Sequence, residues 1–102
     1  MTGDRERVAV VTIHQRDRLF VDAVLWSDGS VGLEGQDLRG DDELEYFFTI
    51  APADVPALVA ALDGRPGADP LALLRAHGDA LVSAGEMHWL QAHGVPFTLS
   101  TW

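Results

Sequence analysis

Apolar residues along this chain follow two periods. From Arg7 to Ile50 they cluster in β-branched runs or alternate with polar neighbours, and from about Ala51 to Gly94 they recur three and four positions apart. Arg7 to His14 and Arg18 to Trp26 read as two strands, with the polar Gln15-Arg16-Asp17-Arg18 as the turn between them. Asp28-Gly29 between apolar runs is a hairpin signal, because glycine supplies the positive φ of a tight turn. Val31 to Leu38 then returns as a third strand, in which Gly32 and Gly35 suggest a bulge. A fourth strand follows at Glu43 to Ile50, where Leu44, Tyr46, Phe48 and Ile50 form the buried face and Phe47 alone breaks the polar one.

Beyond Ile50 the spacing changes. Val55, Leu58, Val59 and Leu62 make an apolar stripe on a helix that starts between Ala51 and Val55 and stops near Gly64. Asp69-Pro70 has the N-cap and first-turn proline of a second helix through Leu71, Leu74 and His77, with Gly78-Asp79 as its end or kink. Ser83 and Glu86 have capping-box spacing for a third helix, from which Met87 and Leu90 face the core and which Gly94 closes. Val95, Phe97 and Leu99 alternate inward along a last strand. These pieces predict an α+β fold: a mainly antiparallel sheet of about five strands, in the order β-β-β-β-α-α-α-β, with two or three helices on one face. Residues 1–102 read as a single domain with residues 1–6 as a flexible N-terminus.

Composition narrows the chemistry. The absence of cysteine removes disulfides, thiolate ligands and thiol nucleophiles. The charged residues Asp4 to Arg7 lead into the first strand without an apolar leader, and no run approaches membrane-spanning length, so the expected location is the cytoplasm, with no membrane partner. Sixteen acidic residues against seven arginines give a formal charge of −9. That sign disfavours direct nucleic-acid binding and suits either solubility or a basic partner.

The candidate catalytic and metal groups do not converge. His14, His77, His88 and His93 are spread over different predicted elements, and the five-residue spacing of the last two does not put them on one helical face. They read as surface or rim histidines, His93 favouring the negative end of a helix dipole. Neither a hydrolase elbow at Ser27, Ser30, Ser83 or Ser100 nor a phosphate-binding glycine loop is present. The expectation is a non-enzyme without cofactor or metal.

The stretch from Glu34 to Phe48 combines charge with aromatic area. Glu34, Asp37, Asp41, Asp42, Glu43 and Glu45 surround Tyr46, Phe47 and Phe48, so carboxylates could steer a basic protein partner while Phe47 anchors it. A solvated loop entering a core strand explains the same residues without a partner. Trp26 and Trp102 join the candidate surface, since tryptophan is rarely left exposed without an interface.

The segment Leu90-Gln91-Ala92-His93-Gly94-Val95-Pro96-Phe97 with a terminal tryptophan, together with Leu33-Glu34-Gly35-Gln36-Asp37-Leu38 and Glu43 to Phe48, resembles a group of small acidic actinobacterial proteins, some of which look like immunity proteins of polymorphic toxin systems. The resemblance covers residues 31–102 and implies a small α+β fold with a binding role and no catalytic residues. The expected function is therefore an immunity- or antitoxin-like neutraliser of a basic protein. The alternatives are a self-associating regulatory or scaffold module, which would be a homodimer, and a small-ligand carrier.

Overall fold

Strand parity decides the architecture, because the helices cover one face of the sheet. The computed structural model describes residues 5–101. It contains β1 (Arg7–Arg16), β2 (Leu19–Trp26), β3 (Val31–Asp37), β4 (Leu44–Ile50), a 3-10 turn at Pro52–Asp54, α1 (Val55–Ala61), α2 (Pro70–Ala84), α3 (Glu86–Ala92) and β5 (Thr98–Thr101). The five strands form one antiparallel sheet in the order β1-β2-β3-β4-β5, so the expected α+β fold is the observed one and β5 lies at an edge beside β4.

Cross-strand pairs explain why one face became the core. Ala23 stands opposite Leu33, Val31 opposite Ile50 and Leu33 opposite Phe48, so one apolar row crosses three strands. The helices close over that row: Leu58 from α1, Leu71, Leu74 and Leu81 from α2 and Leu90 from α3 are all buried in the same cluster. Phe97 packs edge-on against Phe48 with ring centroids 5.3 Å apart. Such burial is worth roughly 1.5–3 kcal/mol per large apolar side chain and is the main force holding helices to sheet.

Local chemistry sets the element ends, in places against expectation. The β1–β2 turn is only Asp17 and Arg18, with φ of 55° and 65°, so both non-glycine residues occupy the left-handed region that a type I′ hairpin turn requires. The strands consequently run to Arg16 and Leu19, which pair directly. β3 has no bulge; its register is continuous on both sides. The irregularities lie in β1, between Arg7 and Ala9 and between Thr12 and His14. The second leaves Ile13 and His14 both buried.

The Asp69 cap forms as expected, its Oδ1 accepting from Leu71 N at 3.0 Å. Gly78-Asp79, however, does not end α2, which runs on to Ala84. Glycine is needed there because a Cβ would lie 2.7 Å from Ile13 Cβ, and Asp79 reaches β1 instead. Ser83 lies inside α2, and α3 begins after Gly85 at φ 91° with no side-chain cap, so the Ser83–Glu86 spacing spans a break between helices. Met87 and Leu99, expected to face the core, are exposed, and so is Leu44, expected on the buried face of β4, because it lies at the strand's start beyond the helix-covered core.

Gly78→Ala tests the Ile13 contact. Helix propensity favours alanine by about 1 kcal/mol, but overpacking of a closed contact typically costs about 1–3 kcal/mol. The expected result is a lower urea midpoint, whereas Ser83→Ala, exposed in the same helix, should raise it slightly.

Candidate functional site

Parity sorts the predicted site residues onto three separate places. Trp26, Glu34, Glu45 and Phe47 lie on the sheet face opposite the helices, since Arg7 pairs with Trp26 and Glu34 with Phe47, out of phase with the core pairs. There Trp26, Phe47 and Glu34 line a hollow of about 370 Å³ with Arg5, Arg7 and Thr49. Gly32 makes this possible: a side chain there would meet the Trp26 indole, whose Nε1 lies 3.1 Å from the Cβ position. The Arg5 and Arg7 guanidinium carbons lie 4.1 and 5.0 Å from a Trp26 ring centroid, both within the range of cation–π attraction. Arg5 Nη1 donates to Ser30 Oγ at 3.0 Å, and Arg7 Nη2 to Glu34 Oε2 at 2.8 Å. Arg5 and Glu6, at the end of the expected N-terminal tail, are thus anchored, Glu6 N also donating to Ser27 Oγ at 2.9 Å. The cations of this clamp were hidden in the sequence, because the charged start of the chain carries no periodic signal. Glu45 sits further along the same face, beside Phe20, Asp22 and Phe47.

Asp37 is already satisfied. Arg39 donates to its carboxylate from Nε at 2.9 Å, from Nη2 at 2.8 Å and from its backbone N at 3.0 Å. These hydrogen bonds and the adjacent charge lower the Asp37 pKa from 3.8 to about 2.

Asp41, Asp42 and Glu43 occupy the third place, the loop between β3 and β4. All three are exposed, and none of the ion pairs among the described residues engages them. Trp102 lies outside the described residues.

The structure adds a groove that sequence reading missed. Leu44 and Tyr46 of β4, Leu99 and Thr101 of β5, and Glu86 and Met87 of α3 line a cavity of about 320 Å³ on the helix-bearing side. Leu44, Met87 and Leu99 are 45%, 42% and 40% exposed, a concentration of apolar surface at one sheet edge. At its floor the Tyr46 hydroxyl donates to the Glu86 carboxylate, which is 9% exposed. Desolvation, followed by this hydrogen bond and the carboxylate's charge, pushes the Tyr46 hydroxyl far above its ordinary value, so it remains a donor. Two features hid the pair. Gly35 resembled a bulge, yet it stands opposite Tyr46, whose ring occupies the space of the missing side chain. Glu86 resembled the partner of a Ser83 cap.

Of the four histidines, His77, His88 and His93 are exposed as expected, and His14 is the exception. His14 is buried rather than at the surface or rim: its Nδ1 lies 2.8 Å from Asp79 Oδ1, while Arg16 donates to Asp79 Oδ2 at 2.9 Å. One carboxylate thereby ties α2 to two residues of β1. His93 Nδ1 donates to Trp89 O at 2.8 Å and its ring stacks on Trp89, a local helix-end contact.

The Asp37–Arg39 pair predicts an acid limb of stability. A depressed folded pKa contributes stability that is fully present above the ordinary value of 3.8 and is lost as pH falls toward about 2. Thermal melts of the wild type and Asp37→Asn should differ by less than about 1 kcal/mol near neutral pH, as for exposed ion pairs. The gap should shrink between about pH 4 and pH 2; a gap that persists at pH 2 would contradict the assignment.

No protein-family model, no curated protein and no solved structure matches this chain, so the functional reading rests on its own residues.

Proposed function

We propose that this chain is a non-catalytic, cytoplasmic protein-binding domain that neutralises a basic protein partner, in the manner of an immunity or antitoxin protein. The supporting observation is the contrast between paired and unpaired carboxylates. Glu34 and Asp37 have arginine partners, whereas Asp41, Asp42 and Glu43 stand together in an exposed loop without one among the described residues. Three adjacent like charges repel one another, and a partner's cations relieve that repulsion when they dock. The chain's charge of −9 extends the attraction to encounter, where a field of one sign raises association rates. A basic nuclease is one such partner: carboxylates would then occupy the surface that binds phosphate, and the domain itself would bind no nucleic acid. The resemblance to immunity-like proteins points the same way.

A second reading, self-association, is favoured by β1, an edge strand with Val8 and Val10 exposed at 61% and 46%. Antiparallel pairing of two copies about the strand's midpoint would set Arg7 of one against Arg16 of the other, and like charges directly opposite destabilise a sheet. The two register shifts in β1 further interrupt such an edge. We therefore place this reading second.

The test compares tagged wild type with the triple variant Asp41→Arg, Asp42→Arg, Glu43→Arg on extracts of the source cells. The expected result is one basic protein retained by the wild type at low salt, released at about 1 M salt, where the screening length is about 3 Å, and lost from the variant. Equal retention by both proteins would overturn the proposal. Salt-resistant recovery of untagged copies alone would favour self-association.

A further inference from the structure

The two edges of the sheet are protected to different degrees. β1 carries two register shifts and an arginine at each end, devices that discourage another strand from pairing with it. β5 has neither. Thr98-Leu99-Ser100-Thr101 contains no charge and no proline, pairs with β4 in unbroken register and is exposed at every position. Only β4 lies beside it among the described strands, so the outward backbone groups of β5 are open to a further strand.

Beside that edge lies the groove lined by Leu44, Leu99 and Met87. Leu99 pairs with Phe48 and Thr101 with Tyr46, so alternate β5 side chains point to the helix-bearing side where the groove opens. A strand added to β5 would run about 4.8 Å beyond it and turn every second side chain to that same side. Those side chains would reach the apolar surface between Leu99 and Met87. Hydrogen bonds along the backbone would supply register, and the groove would select apolar residues at alternate positions, the usual division of labour when a peptide extends a sheet.

Charge selects the flank of the incoming segment. Glu86 lies in the groove, and Leu44 connects the groove to Asp41, Asp42 and Glu43. Arg39, within electrostatic range of Tyr46 and Glu86, is held by Asp37, and His88 also lines the groove. The other hollow, beneath Arg5 and Arg7, is less suited to a ligand because those guanidiniums already stack on Trp26 and bond Ser30 and Glu34.

We infer that the β5 edge and the β4–α3 groove together receive an extended segment of a protein partner, with apolar side chains at alternate positions and a basic flank facing the β3–β4 loop. The basic character of that flank rests on the proposed neutralising role; the strand addition and apolar selection rest on the edge and groove alone.

The probe is a fluorescent nine-residue peptide that alternates leucine with threonine and ends in two lysines. On titration into the isotopically labelled full chain, it should shift the backbone amides of Thr98 to Thr101 and of Met87, while those of Arg7 to Arg16 stay still. Leu99→Glu keeps the surface acidic but removes an anchor, and should weaken binding at least about tenfold. Methylating alternate peptide amides should abolish binding with charge and side chains unchanged. The Asp41→Arg, Asp42→Arg, Glu43→Arg variant should weaken binding only at low salt. No binding at about 1 mM peptide, or shifts confined to β1, would overturn the inference, as would an unchanged affinity in Leu99→Glu. Binding at β5 that ignores both salt and the triple variant would uphold the groove and remove the support for a basic partner.

Discussion

Gly35 stands opposite Tyr46, and the tyrosine ring covers the strand where a side chain would otherwise project. The rest of the β5 side of the molecule depends on that contact. It orients the Tyr46 hydroxyl toward Glu86 and so joins the middle of the sheet to the first turn of α3. A hydrogen bond to a buried carboxylate is worth roughly 1.5–3 kcal/mol, and losing the donor would leave Glu86 desolvated without compensation. The short helix α3 lacks a side-chain cap, and Leu90 in the core, Trp89 packed against it and the Tyr46–Glu86 bond help to seat it. Its position in turn leaves Met87 across from Leu99 and keeps the groove open.

Much of the fold was legible because it depends on period. The alternation in β4 and the spacing of Leu58, Val59 and Leu62 each reflect a single buried face, and the Asp69-Pro70 cap is local chemistry. The failures share a cause in contacts between residues distant in sequence. Gly78 reads as a helix breaker until Ile13, on another element, is known to touch it. Gly32 and Gly35 read as weak points until Trp26 and Tyr46 are seen lying over them. His14 reads as a rim residue because the bulge that turns it inward, and the Asp79 that receives it, leave no trace in local pattern.

The candidate surface was legible in composition but not in arrangement. Among the described residues, the candidates drawn from one acidic, aromatic picture lie partly in the β3–β4 loop and partly on different faces of the sheet, because neighbouring residues of a strand point in opposite directions. Glu45 and Phe47 share the open face, whereas Leu44 and Tyr46 belong to the groove. Pairing then divides the carboxylates further. Glu34 closes the Arg7–Trp26 clamp and Asp37 holds Arg39, so each contributes locally and little remains of its charge for a distant partner. The formal charge of −9 already subtracts these arginines, so the uncompensated charge is carried by other carboxylates, Asp41, Asp42 and Glu43 among them.

The free charge and the free backbone occur at the same end of the sheet. The open face carries aromatic area, but its arginines stack on Trp26 and bond to Ser30 and Glu34, contacts that hold the N-terminal approach to β1 against β2 and β3. The edge at β5 has the opposite character among the described residues: apolar side chains partly in water, backbone with one neighbouring strand, and a loop of carboxylates without counter-charges. An exposed edge tends to recruit strands indiscriminately, and acidic residues around it repel acidic segments, including those of other copies of this chain. The same carboxylates attract a basic segment. Charge around β5 can thus limit self-pairing and choose the partner at once, which is why an unprotected edge is tolerable here while β1, without such a loop beside it, is broken by bulges.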